Sequence, residues 1–276
     1  MKTKNRIAAA LLAAVLTLAL TACGGSGVDK DPLAAAQANM AAAKSMDATM
    51  VMEMDMEAGG ESMETVTTMN MTMFTDPQKM KVETSMDMGG YGSMDMSIYA
   101  EEVDGQLTMY LYDGSSWYSQ AVTEADLGAY DVSGSMTDYI GDTTGFTQQG
   151  TETVDGVSAY KYTGVITGEE MQEVMTSSGA LDSLSSLGLS ADETEEMLSG
   201  LGDIQVTLWV AEKELYPVRY EMDMTAIMDG LMQSILASMG DQAEGLTMSV
   251  PKMKMTMTCS NLNSAADFEI PAEARS

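Results

Sequence analysis

Residues 50–56 have the sequence MVMEMDM, in which a methionine stands at every second position. Successive side chains of a β-strand point to opposite faces of a sheet, so this alternation of apolar and acidic residues is typical of a half-buried strand. Gly59 and Gly60 then interrupt the pattern as a hairpin turn does. The stretch therefore predicts a strand with one methionine face and one largely acidic face.

The same alternation continues beyond this strand and predicts an antiparallel meander. Turn signals at Asp76–Pro77 and Gly89–Gly90 separate runs whose same-face residues are mostly methionine. Two Asp-Gly pairs, at residues 104–105 and 113–114, are typical of further hairpins. The same-face residues of the three runs after the first are Met63, Met69, Met71 and Met73; Met80, Val82, Met86 and Met88; and Met94, Met96 and Ile98.

The rest of the chain predicts more strands and several helices. Strands are expected at 148–154, 157–166, 203–212, 217–224 and 246–260; helices at 31–44, 168–175, 182–201 and 226–239; and irregular structure with a short helix at 123–142. No linker interrupts residues 31–276, which we expect to form one domain. The fold class is α+β, a single highly curved antiparallel sheet that forms an incomplete barrel, with helices packed on its concave face.

The N-terminus has the features of a secretory signal. Basic residues precede an apolar run at 7–20, and residues 20–23 (LTAC) form a lipobox, whose cysteine accepts diacylglycerol. Residues 1–22 would be the signal, Cys23 the lipidated first residue, and residues 23–30 a flexible tether. We expect an extracytoplasmic protein anchored to the cell membrane by palmitate-like chains. An ordinary signal or a short membrane helix is the alternative, although spanning a bilayer takes ~20 apolar residues.

Composition excludes several classes of function. The chain has 42 acidic and 13 basic residues, a net charge of −29, and no histidine. A basic surface is needed to bind phosphate backbones, so no nucleic acid partner is expected. Without histidine there is no His-based triad and no common zinc site, and Ser133 lacks the setting of a nucleophile elbow. We expect no enzyme activity, cofactor or metal, although composition alone leaves a carboxylate-pair hydrolase open.

The 30 methionines are the chemical peculiarity of the chain. They can form an ordinary core, line an adaptable cavity for an apolar ligand, or bind Cu(I) or consume oxidants through their thioethers. Cys259 alternates with Met253, Met255 and Met257, and is expected to pack as a small hydrophobe. The candidate cavity residues are Met50, Met52, Met54, Met56, Met69, Met71, Met73, Met86, Met88, Met94, Met96, Met222, Met224, Met253, Met255 and Met257.

Several short stretches then resemble a known group. They are residues 112–118 (YDGSSWY), a strand at 157–165 with two tyrosines, LWV at 208–210 answered by LYPVR at 215–219, and FEIP at 268–271. Together with the lipobox, they are similar to the LolA/LolB and LppX/LprG lipoprotein superfamily, and especially to its Gram-positive members. The resemblance implies a LolA-like incomplete barrel of about ten or eleven strands, no catalytic residues, and a cavity for acyl chains.

We therefore expect a membrane-anchored lipoprotein that binds a lipid-like molecule in a methionine-lined cavity. One alternative is a closed-core interaction or signalling module with an unknown protein partner, and another is a Cu(I) or oxidant buffer. Trp117 and Trp209 each stand near a hairpin turn, where an aromatic residue commonly pins neighbouring strands together. The sequence leaves open whether they instead line the mouth of the cavity.

Overall fold

A computed structural model describes residues 31–103, 105–123, 145–168, 202–238, 245 and 247–275. The helices in this part are α1 (Pro32–Ala41) and α2 (Thr225–Ser238), and short 3₁₀ turns lie at Gly89–Tyr91 and Ala272–Arg275. The strands are β1 (Ser45–Ala58), β2 (Glu61–Thr75), β3 (Gln78–Asp87), β4 (Ser93–Val103), β5 (Gln106–Tyr112), β6 (Trp117–Val122), β7 (Thr147–Val154), β8 (Val157–Ile166), β9 (Ile204–Ala211), β10 (Pro217–Asp223) and β11 (Met248–Ser260).

The eleven strands form one antiparallel sheet in the order β6-β5-β4-β3-β2-β1-β11-β10-β9-β8-β7. Two meanders, β1 to β6 and β7 to β11, meet where the first strand pairs with the last. The edge strands β6 and β7 are not paired with each other, so the sheet does not close into a barrel. The predicted fold class, one large open antiparallel sheet with helices packed against it, is confirmed.

The strand predictions agree with the structure to within a few residues. Helix α1 is shorter than predicted and ends at Ala41, before the sheet begins at Ser45. Helix α2 lies where the apolar spacing placed it. The helices predicted at 168–175 and 182–201 lie outside the described residues except for Gly168, and so does the region at 123–142 except for Thr123.

The main core lies between α1 and one face of the sheet. Leu33, Ala36 and Met40, which share one side of α1, are at most 2% exposed. They belong to one apolar cluster with residues of β1 to β5 and β8 to β11. Burial of an apolar side chain contributes about 1.5–3 kcal/mol, so this helix is held by packing more than by its own propensity.

Helix α2 takes the place of a neighbouring strand along part of β11. Among the described residues, β10 pairs with β11 only at residues 254–258, which leaves the start of β11 without a neighbouring strand on that side. Three side chains spaced four residues apart on α2 fill the gap. The Thr225 hydroxyl accepts from the Met253 N–H at 2.9 Å, the Asp229 carboxylate accepts from the Val250 N–H at 2.9 Å, and the Gln233 amide donates to the Met248 carbonyl at 2.7 Å.

The residues after β11 cross the other face of the sheet as a strap, which we define as 264–275. The Lys79 ammonium donates to the Asp267 carboxylate at 2.7 Å, and it also donates to the Phe268 carbonyl. The Phe268 ring lies 6.0 Å from that of Tyr99, and Arg275 pairs with Glu101 at 2.7 Å. The strap thereby covers an aromatic cluster on β4 to β6.

Candidate functional site

The strand register brings the methionines of distant strands into rows on one face. Met50 of β1 lies opposite Met69 of β2 and Met257 of β11. Met52 and Met54 lie opposite Met255 and Met253 of β11. This side of the sheet carries the even-numbered residues of β1 and the residues opposite them. We call it the methionine face. The acidic residues of β1 between these methionines point to the other face, as the alternation predicted.

The structure divides the predicted cavity residues by burial. Met71, Met222, Met253, Met255 and Met257 are buried in the core, and Met94 is 48% exposed. The others are half-buried: Met50, Met52, Met54, Met56, Met69, Met73, Met86, Met88, Met96 and Met224. The buried members pack as core side chains, so only the half-buried and exposed ones present surface that a ligand could reach. Ligand binding by any of them stays a prediction.

Burial decreases along β1. Met46 is 2% exposed and Ala48 is 4% exposed, whereas the methionines from Met50 to Met56 are half-buried. On β4, Ala100 is fully buried near one end of the strand, and Met94 near the other end is largely exposed. Along β1 and β4 the methionine face therefore changes from a closed core to an accessible apolar surface, whereas along β11 it stays buried.

A buried threonine interrupts the accessible end of the methionine face. Thr65 lies opposite Met54 and is 8% exposed. Its hydroxyl oxygen has no hydrogen-bond partner among the described residues. The sequence pattern gave no sign that Thr65 is a candidate site residue, although the alternation along β2 places it on the same face as Met63 and Met69. Alternation gives the face of a side chain, but its burial and its lack of a partner depend on packing.

Both tryptophans lie on the face opposite the methionines. Trp117 is paired with Tyr112, and its ring centroid lies 5.1 Å from that of Tyr112. Trp209 is 4% exposed and its indole N–H donates to the Glu152 carboxylate at 3.1 Å. The hydrogen bond from the Trp209 indole lowers the pKa of the Glu152 carboxyl most, and the hydrogen bond from Lys161 lowers it further. Both rings act as structural contacts between strands and do not line the methionine face.

The thiol of Cys259 lies on the methionine face at its buried end. It is 5% exposed, and burial raises its pKa to about 12. A thiol that stays protonated is a poor nucleophile and a poor metal ligand. Across the described part of the chain, no group of three or more Cys, Asp or Glu side chains is arranged to hold a metal ion.

Two cavities lie at the margins of the described sheet. One, of about 600 Å³, lies beside the start of α2 and is bordered by Asp203, Asp223 and Asp229. The other, of about 640 Å³, lies at the end of α1 and is bordered by Asn39, Asn261 and other polar residues. The Asn39 amide donates to the carbonyls of Glu214 and Leu215, at 3.1 and 2.7 Å, and thus ties α1 to the turn between β9 and β10.

The fold and its methionine face define a class of protein: an open antiparallel sheet that covers one end of an apolar face with a helix and leaves the other end accessible. The chain belongs to the family of unknown function DUF6612, which matches residues 31–276. No curated protein matches it.

Solved structures similar to the chain include two mycobacterial proteins. One is the lipoprotein LppX of Mycobacterium tuberculosis, with 13% identity, a TM-score of 0.42, and coverage of 87% of this chain and 100% of that one. The other is LprF of Mycobacterium bovis, with 14% identity, a TM-score of 0.46, and coverage of 87% and 95%. Both names fall within the group that the sequence resembles, and membership of that group stays a prediction from the sequence. Closeness to its Gram-positive members stays a prediction.

A third similar structure is a DUF1329 family protein of Desulfovibrio piger, with 13% identity and a TM-score of 0.26. It covers 87% of this chain and 96% of that one.

The predicted anchor lies outside the described residues. This applies to the signal at 1–22, to Cys23 and to the tether up to residue 30. Within the described ranges, none of the helices is both long enough and apolar enough to cross a bilayer. Lipidation of Cys23 therefore stays a prediction from the lipobox.

Proposed function

We propose that this protein is a membrane-anchored, extracytoplasmic lipoprotein that binds a hydrophobic, lipid-like ligand on the accessible end of its methionine face. It acts by binding and not by catalysis. The observation that carries the proposal is the change in burial along β1, from Met46 at 2% exposed to the half-buried methionines at 50–56. A closed core would bury the whole row.

The chemistry of the accessible end suits an apolar ligand of variable shape. Thioether side chains are unbranched and polarizable, so they can repack around different apolar surfaces. Acyl chains present such a surface. Burying about a dozen methylenes contributes on the order of 10 kcal/mol before the costs of ordering the ligand and the side chains. An almost wholly apolar site is therefore sufficient for tight binding.

Native mass spectrometry tests the proposal directly. The mature chain, residues 23–276 with Cys23→Ser, would be purified without detergent, and any bound molecule would be extracted into organic solvent. We expect an adduct of lipid size that reappears after the stripped protein is incubated with a membrane lipid extract. A bare mass before and after incubation would contradict the proposal and favour a closed-core interaction module.

A matched pair of variants locates the site. Met54→Asp places a carboxylate on the accessible end of the methionine face, whereas Val51→Asp places one on the opposite face of the same strand. Both side chains are half-buried, so the two changes carry similar structural costs. We expect Met54→Asp to abolish the adduct and Val51→Asp to retain it, with circular dichroism confirming that both variants fold. Equal retention of the adduct by the two variants would show that the ligand does not bind on the methionine face.

Titration with Cu(I) distinguishes the remaining alternative. Soft thioethers bind Cu(I), and the rows of cross-strand methionines provide several of them close together. Stoichiometric, tight Cu(I) binding by a protein that takes up no lipid would identify a metal buffer instead of a lipid carrier.

A further inference from the structure

We infer that the Thr65 hydroxyl is a recognition group for the carbonyl oxygen of an acyl ester or amide, which it would hold within the methionine face. This inference rests on the proposed function and specifies the chemical class of the ligand. It starts from the hydroxyl itself, which is buried and has no hydrogen-bond partner in the described part of the chain.

An unpaired buried hydroxyl disfavours the folded protein, because it loses its hydrogen bonds to water and gains none in return. Proteins rarely keep such a group, and an isosteric valine would avoid the penalty. Valine has the same branched shape and is more common in strands. A threonine at this position is therefore better explained by a hydrogen bond to a bound molecule than by packing.

The surroundings of Thr65 restrict what that partner can be. Along β2, its neighbours on the same face are Met63 and Thr67, and across the sheet it faces Met54. None of these side chains is charged. A charged headgroup would lose its hydration here without gaining a counter-ion, which is costly. A neutral carbonyl needs only one donor, and the Thr65 O–H can supply it.

The position of Thr65 fits a carbonyl that interrupts an apolar chain. Met52, Met54 and Met56 of the adjacent strand are half-buried and extend along the face on both sides of it. An acyl chain would lie along these thioethers, and because unbranched thioether side chains can repack, they would move aside and let its carbonyl reach the buried hydroxyl. A pure hydrocarbon would gain the same apolar contacts but would leave the hydroxyl unpaired.

Competition binding tests the inference on the mature chain, residues 23–276 with Cys23→Ser. Methyl dodecanoate and methyl dodecyl ether differ by the carbonyl group, and each would displace the apolar fluorophore N-phenyl-1-naphthylamine. We expect the unsubstituted protein and Thr65→Ser, which keeps the hydroxyl, to prefer the ester. Thr65→Val should bind the ester about fivefold to tenfold more weakly and the ether equally well.

Thr68→Val is the matched control, because Thr68 lies on the same strand but faces the opposite side, across from Val51. It should leave both affinities unchanged. Thermal melting gives a second readout: Thr65→Val should melt at the same temperature as the unsubstituted protein or higher, although it binds the ester less well. A residue that only supported the fold would lower the melting temperature.

The outcomes separate this inference from the proposed function. If both probes bind and Thr65→Val does not change the ester-to-ether ratio, the inference is wrong and lipid binding stands. If the unsubstituted protein itself shows no preference for the ester, the inference is wrong even without the variant. If neither probe displaces the fluorophore, the proposed function is wrong and the inference falls with it.

Discussion

Gly164 lies on the same side of β8 as the core tyrosines and leaves room for an aromatic ring. A Cβ atom at this position would lie 2.7 Å from the ring of Phe146, which packs against the main core. We expect Gly164→Val to lower the free energy of unfolding by about 1–3 kcal/mol, because overpacking forces neighbouring side chains out of their preferred rotamers. Urea denaturation measures the change. The double variant Gly164→Val/Phe146→Ala should recover part of the loss in a double-mutant cycle; strict additivity would show that the ring is not the cause.

Asp113 gives the hairpin between β5 and β6 a dependence on pH. Its carboxylate accepts from the N–H of Ser116 and from the hydroxyl and N–H of Ser115, at 2.8–2.9 Å. Together these hydrogen bonds lower the pKa of Asp113 to about 2, and the one from the Ser116 N–H has the largest effect. An unfolded aspartate titrates near pH ~3.9. Because the folded value is lower, this stabilisation is complete above about pH 4 and is lost as the pH falls towards 2.

Carboxyl NMR titration of the folded protein should find the midpoint of Asp113 near pH 2. Asp113→Asn keeps one acceptor oxygen and removes the titration, so its melting temperature should fall less than that of the unsubstituted protein between pH 5 and pH 2.5. A midpoint at the value of an unfolded aspartate would mean that the turn does not form these bonds in solution.

At the scale of single residues, the sequence predicted orientation better than environment. Alternation assigned the methionines of β1 and the acidic residues between them to opposite faces, and the register confirms this for Met52, Met54 and Glu53. It did not predict that Met255 is a core residue while Met54, on the neighbouring strand, is half-buried. Their chemistry and spacing are the same. The difference arises from helices and strands that are distant in the sequence.

Helix α2 is the element whose role differs most from the sequence pattern. Its apolar residues predicted a helix, and a helix is found. The pattern gave no sign that Thr225, Asp229 and Gln233 would bond to the backbone of β11. Polar residues with a period of four on a helix ordinarily form its solvated side. Here the partner strand is β11, which begins after α2 ends. Only the folded chain shows that the short strand β10 leaves the first residues of β11 open to α2.

The helix-to-strand bonds should be measurable one at a time. Asp229→Ala leaves the N–H of Val250 without its acceptor at a half-buried position, and we expect a loss of about 1–2 kcal/mol in the free energy of unfolding. Asp229→Asn retains an acceptor oxygen and should cost less. Ser234→Ala, at an exposed position of the same helix, is the control and should change stability by less than about 0.5 kcal/mol. Equal effects of Asp229→Ala and Ser234→Ala in urea denaturation would show that the bond from Val250 to Asp229 does not stabilise the folded chain.

For the molecule as a whole, the predicted anchor decides where the methionine face operates. Cys23→Ala should abolish labelling with radioactive palmitate and should shift the protein out of the membrane fraction, because two or three acyl chains bind a bilayer nearly irreversibly. Cys259→Ser is the control: this residue is buried in the sheet, and its replacement should leave labelling intact. Label that persists in Cys23→Ala and disappears in Cys259→Ser would refute the lipobox assignment.

The pairing of β1 with β11 in the centre of the sheet also governs how the chain folds. Partners such as Met50 and Met257 are more than 200 residues apart, whereas the hairpins of each meander are local. Loop-closure entropy makes such distant pairing slow, so the two meanders can form before the centre joins them. Until the last strand is available, β1 has an unpaired edge and α1 has only part of its core. A nascent chain therefore cannot complete its fold until β11 has emerged, so the export that the signal predicts would act on a chain whose central sheet is still open.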